Sequence, residues 1–159
     1  MWETEVGIDI EAPASEVYEY LADFPRHREW SSAAMIYLKQ LTPGPIGVGS
    51  EFEAAETVPG KVVTHSRITA LEPNRRIAWH AWLWKLTAVD WEFVLSRRES
   101  TTHLVQRSAW QIGIGPVGAL LLPLRLIRRR QIPAENRRSL ERIKVVLEKK
   151  VLVSESGAH

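Results

Sequence analysis

Seven tryptophans in 159 residues are a dense supply of flat apolar surface. Trp30, Trp79, Trp82, Trp84, Trp91 and Trp110 fall in or beside segments that alternate with a period of two. A tryptophan turned inward offers a broad wall and one N–H donor, which suits a greasy, ring-containing ligand. Alternation sorts them. Ile77, Trp79, Ala81 and Leu83 share one side of a strand, while His80, Trp82 and Trp84 share the other. Trp91 stands with Phe93 and Leu95, and Trp110 with Leu104, Gln106 and Ser108. The expected cavity wall is therefore Trp30, Trp79, Trp91 and Trp110. A solid core built of the same side chains is the plainer alternative. Trp82 and Trp84 are expected to face out, as a dimer contact or another partner surface.

Polar side chains on such a wall would hold ligand hydroxyls or carbonyls. The candidates are Thr64, Ser66, Gln106 and Ser108, with Tyr37 if its strand faces that way and Leu120 as an apolar contact from the C-terminal helix. A second register of the Lys61–Leu71 strand would instead turn Val63, His65 and Arg67 inward. It would expose Val62 and Ile68, so it is disfavoured. In a cyclase-like reading Gln106 or Arg67 would be the group that matters, but no acid–base pair stands out.

Other chemistries find no footing. The histidines at 27, 65, 80, 103 and 159 show no metal-ligand spacing, and there are no cysteines. No G-x-S-x-G elbow exists. Gly44, Gly47 and Gly49 lack the Lys-Ser/Thr of a phosphate loop. No metal, cofactor or nucleic-acid partner is expected.

The elements that must position these residues follow from periodicity. Glu3 to Glu11 alternates as a half-buried strand. Ser15 is placed to cap a short helix with the stripe Val17, Tyr20 and Leu21. A second helical turn runs from Pro25 to about Trp30. Strands follow at Met35–Leu41, Ser50–Thr57, Lys61–Leu71, Arg76–Lys85, Val89–Arg97 and His103–Ile112. Short turn-rich links favour an antiparallel meander. The period then becomes helical from Val117, with a kink expected at Pro123 and a fresh segment at Pro133. A sheet with one apolar face needs cover, and this helix is the only large apolar one available.

A length of 159 residues suits one domain over residues 1–150 with a flexible tail over 151–159. The net charge of +2 conceals a basic segment. Ten Lys/Arg face three Glu between Arg125 and Lys150. Arg125, Arg128, Arg129 and Arg130, next to the apolar Leu120–Leu124, could touch an anionic membrane surface. A solvated helix face is the blander reading. With an acidic N-terminus, no apolar signal core and no run long enough to span a bilayer, a cytoplasmic location is expected, with peripheral membrane contact at most.

The stretch Ile8-Asp9-Ile10-Glu11-Ala12-Pro13-Ala14-Ser15-Glu16-Val17-Tyr18-Glu19-Tyr20-Leu21-Ala22-Asp23-Phe24, with Trp30 after it, resembles the opening of the START/Bet v 1-like (SRPBCC) superfamily. So do Val48-Gly49-Ser50-Glu51-Phe52, the segment Leu71 to Trp79, and Asn136 to Ile143 in the last helix. The branch most similar is the polyketide cyclase/dehydrase and lipid-transport group. The resemblance covers about Glu3 to Lys150. It implies an α+β helix-grip fold, a seven-stranded antiparallel sheet curled around a long C-terminal helix, with two short helices after the first strand. It also implies a hydrophobic small-molecule ligand in the space between. Function stays open, because the superfamily hosts both carriers and cyclases.

Overall fold

A computed structural model of the chain describes residues 1–31, 34–57, 61–84, 87–112 and 122–156. Its elements are β1 (Trp2–Ile10), α1 (Ala14–Ala22), a 3-10 turn (Phe24–Arg26), α2 (His27–Trp30), β2 (Ala34–Gln40), β3 (Glu51–Thr57), β4 (Lys61–Glu72), β5 (Arg76–Leu83), β6 (Thr87–Arg98), β7 (Thr101–Ile112) and α3 (Leu122–Ser156). The seven strands form one sheet in the order β1-β7-β6-β5-β4-β3-β2, every pairing antiparallel. This is the expected α+β helix-grip architecture.

Local chemistry explains the connections. In the β4–β5 turn Asn74 takes φ 61 and the Arg75 N–H donates to Glu72 O at 3.0 Å. Asparagine tolerates that left-handed backbone better than most residues. Gly49 sits at φ 90, where its N–H reaches Ile68 O at 2.9 Å and opens β3. A Cβ there would be strained.

Alternation gives the sheet two unlike faces. Val6, Ile10, Phe52, Ile68, Ile77, Trp79, Phe93, Leu95 and Leu104 point inward and are buried together. Leu140, Ile143 and Leu147 of α3 join them. Each such side chain contributes roughly 2 kcal/mol of apolar burial. α1 adds Val17, Tyr20 and Leu21 beside Phe24 and Trp30. The helix α3 lies mainly against β1, and α2 meets α3 and β2. The inner face thus has a lid at one end and a rod across it.

Two expectations about the helices need correcting, and a third falls at the edge of the described residues. Ser15 does not cap α1, which begins at Ala14 with an extended Pro13 at its N-cap and no side-chain cap bond. The kink expected at Pro123 in a helix from Val117 falls at the edge of residues 113–121, which lie outside the described residues; α3 is described from Leu122. Pro133 lies inside α3 rather than starting a new segment, and the helical backbone runs on to Ser156.

Candidate functional site

Between the inner face of the sheet, α2 and α3 lies a cavity of about 560 Å³, well within the size range of small-molecule sites. Its sheet wall carries Thr64 and Ser66 from β4, Trp79 and Ala81 from β5, Trp91 from β6, and Gln106 and Trp110 from β7. Trp30 closes it from α2. The inward register of β4 is the favoured one: Ser66 lies opposite Ala81, while Arg67 points outward and bonds Glu51. Arg67 is therefore not a cavity cation.

The indoles form a continuous run. Trp79 stacks on Trp91 at 6.0 Å, Trp91 meets Trp110 edge-on at 5.3 Å, and Trp110 stacks on Trp2 at 6.1 Å. Trp30 packs edge-on against Phe93 at 5.4 Å. Such geometries hold the rings rigid while leaving their outer surfaces to the cavity.

Two buried polar atoms of lining residues have no hydrogen bond: Trp30 Nε1 and Gln106 Oε1. Both residues are 3% exposed. A buried polar atom without a partner is costly. Ser108 behaves differently. It is inward and buried, but it bonds Thr4 Oγ1 at 2.6 Å and accepts from Trp110 Nε1 at 2.8 Å. Asn136 of α3 donates to the same Thr4 oxygen at 3.2 Å. This network ties β1, β7 and α3 together and does not line the cavity at Ser108.

Tyr37 is also off the cavity. A bulge between Met35 and Tyr37 shifts the register of β2 against β3. Met35 and Leu38 therefore face inward while Tyr37 turns out, where its hydroxyl donates to Glu53 at 2.7 Å. Strict alternation would put Met35 and Tyr37 on one side; the inserted residue separates them. Leu120 lies outside the described residues.

Sequence reasoning missed the charged part of the lining. Glu56 ends the inward series Phe52, Ala54, Glu56 on β3 and lines the cavity. Opposite it, Arg128 holds Glu135 through both guanidinium nitrogens at 2.8 and 3.0 Å. Burial pushes the Glu56 carboxyl above its ordinary range. The Arg128 guanidinium counters that push and the Glu135 charge adds to it. The signal was present in the β3 alternation, which places a glutamate on the apolar side.

His27 was dismissed with the other histidines for want of a metal partner. It lines the cavity from α2, with Trp30 at 3.9 Å and Trp79 edge-on at 5.4 Å. Surrounding protein pushes its pKa down to about 3, so the imidazole is neutral. Among the described residues no group of three or more His, Asp or Glu could hold a metal ion.

The expected cationic patch is split. Arg128 belongs to the cavity, and Arg125 lies over the Trp2 ring at 5.7 Å. Arg129 and Arg130 are exposed, beside the exposed Leu124, Leu126 and Ile127. No helix of the described residues is long and apolar enough to cross a membrane. On the outer face Trp82 stacks between His65 and His80, and Trp84 is 80% exposed.

Comparison with known proteins agrees with this architecture. A di-domain aromatase/cyclase, StfQ of the steffimycin biosynthetic pathway, superposes with a TM-score of 0.76 at 17% identity, over 94% of this chain and 52% of that one. The ZhuI aromatase/cyclase from Streptomyces sp. R1128 gives 0.74 at 16% identity, over 94% and 95%. At such identities the likeness is one of fold. An uncharacterized protein of Mycobacterium tuberculosis is 30% identical over 92 residues, which span 53% of this chain and 40% of that relative's length. Residues 1–148 match the family described as polyketide cyclase/dehydrase and lipid transport. With a match spanning nearly the whole chain and the cavity just described, the protein belongs to the polyketide cyclase/dehydrase and lipid transport family.

Proposed function

We propose that the chain binds a ring-containing, hydroxyl- and carbonyl-bearing hydrophobic small molecule in the cavity between the sheet and α3. The observation that carries this is the pair of unpartnered polar atoms on an indole-lined wall, Trp30 Nε1 as donor and Gln106 Oε1 as acceptor. A plain hydrocarbon chain would leave both unpaired. A ligand with one acceptor and one hydroxyl satisfies both while stacking on the tryptophans. Cyclase-type turnover and simple carriage both begin with this binding step, and the solved aromatase/cyclases of similar fold support a polyketide-like ligand.

The test is a tryptophan-fluorescence titration with 2,6-dihydroxyanthraquinone. Ala81 lines the cavity, so Ala81→Phe should fill it and weaken binding by at least about tenfold, or 1.4 kcal/mol. An unchanged affinity in that variant would place the probe elsewhere and defeat the proposal.

A second reading concerns where the ligand comes from. Exposed Leu124, Leu126 and Ile127 beside Arg129 and Arg130 support contact between the start of α3 and an anionic bilayer. Co-sedimentation with phosphatidylserine vesicles should fall in an Arg129→Gln/Arg130→Gln double variant while anthraquinone binding persists. Equal sedimentation of both proteins would remove this reading.

A further inference from the structure

The charged groups at the α3 side of the cavity do not balance. Arg128 is committed to Glu135 by a two-pronged bond, and a second carboxyl, Glu56, lines the same space. Among the described residues Glu56 has no hydrogen bond or ion pair. The other charged groups named on the sheet contrast with it: Glu51, Glu53, Glu92 and Asp90 all hold a partner on the outer face. A carboxyl turned onto the apolar side of a strand and left free is expensive to maintain. Its position faces whatever fills the cavity.

Resting on the ligand-binding reading above, we propose that Glu56 is a catalytic residue of the cavity: its carboxylate removes a proton from the carbon beside a ligand carbonyl and delivers one to the carbonyl oxygen. The C–H bond breaks, its electron pair forms the enolate, and an O–H bond closes the enol. The carboxyl ends as it began, and no other reactant is consumed. Arg128 and Glu135 position and tune it. The net charge of the three groups, all ionised, is one negative, so the cluster favours retaining a proton, and burial works in the same direction. A base near the operating pH is the efficient one.

The groups facing Glu56 are few. From α3 come Arg128 and Glu135, and from β2 and β4 its cross-strand neighbours Met35 and Val62, which carry no charge. His27, neutral, and Arg138, exposed, share the cavity lining.

The experiment uses 2-tetralone, a ring-bearing ketone with an exchangeable methylene. Binding is read by tryptophan quenching, and hydrogen–deuterium exchange at that methylene by NMR in deuterated buffer. The wild-type protein should accelerate exchange about a hundredfold over buffer, the low end for a positioned acid–base group. Glu56→Gln should return exchange to the buffer rate with quenching retained. The rate should rise with pH as Glu56 ionises, with its midpoint above the ordinary carboxylate range. Glu135→Gln removes a like charge and frees the Arg128 fork, so the midpoint should move down, a shift that a merely structural role would not produce. Bound probe with no acceleration, or acceleration that survives Glu56→Gln, overturns the proposal and leaves the ligand-binding reading standing. Absence of quenching by 2-tetralone while the anthraquinone binds overturns it as well, because the cavity then rejects simple ketones. If neither probe quenches, the ligand-binding reading falls and takes this proposal with it.

Discussion

The outer and inner faces of the same sheet treat polar groups in opposite ways. Outside, charges are cross-strand neighbours and satisfy one another. Arg107 bridges Glu5 and Glu92, Arg76 bridges Glu72 and Glu92, His80 meets Asp90 at 2.7 Å and His103 meets Asp9 at 2.6 Å. A depression of about 730 Å³ is lined in part by Glu5, Arg76, Asp90, Glu92 and Arg107. Its named charges are already paired, and it offers a ligand little. Inside, Trp30 and Gln106 line a hollow with Nε1 and Oε1 unpaired, and Glu56 lines it with no hydrogen bond among the described residues. Pairing follows from adjacency on a flat lattice, and availability follows from curvature around a void.

Three experiments would break or sharpen that contrast. The largest effect should come from His27. Its folded pKa lies near 3 against an ordinary 6.5. The unfolded chain therefore binds a proton that the folded one refuses as pH falls below 6.5. Stability is present above that value and is lost on acidification toward about 3. The loss should be on the order of 4 to 5 kcal/mol. His27→Phe should flatten this part of the pH profile in urea titrations. An unaltered slope would mean that the ring sees bulk water.

A middle effect is expected for Gln106→Leu. Replacing an unpaired buried amide oxygen should stabilise the empty protein by about 1 kcal/mol. It should also weaken dihydroxyanthraquinone by roughly tenfold. Destabilisation without loss of affinity would show that the amide is satisfied internally. The smallest effect belongs to the outer face. Arg107→Gln removes contacts to Glu5 and Glu92, but its side chain is 51% exposed. Stability should change by less than about 0.5 kcal/mol, screened further by salt. A change of several kcal/mol would undo the comparison.

Much of this was legible beforehand. The inward parity of Trp79 and Trp91 on β5 and β6, and of Gln106, Ser108 and Trp110 on β7, follows directly from the two-residue period, as does the outward turn of Trp82. Tyr37 was not legible, because one inserted residue at the β2 bulge inverts parity and leaves no compositional mark. Ser108 was placed on the correct face, but its hydroxyl is consumed by Thr4, 104 positions away in sequence. Arg128 read as one of a run of arginines. Only the rotation of α3 separates it from Arg129 and Arg130 and delivers it to Glu135.

Alternation, helical spacing and the turn residues determined the order of elements and the side of the sheet on which most side chains lie. Those are local properties, set by backbone geometry within a few residues. The tertiary structure decided which inward polar atoms would find a partner and which would be left unpaired. That depends on how far the sheet bends and where α3 crosses it, distances that no short window of residues contains.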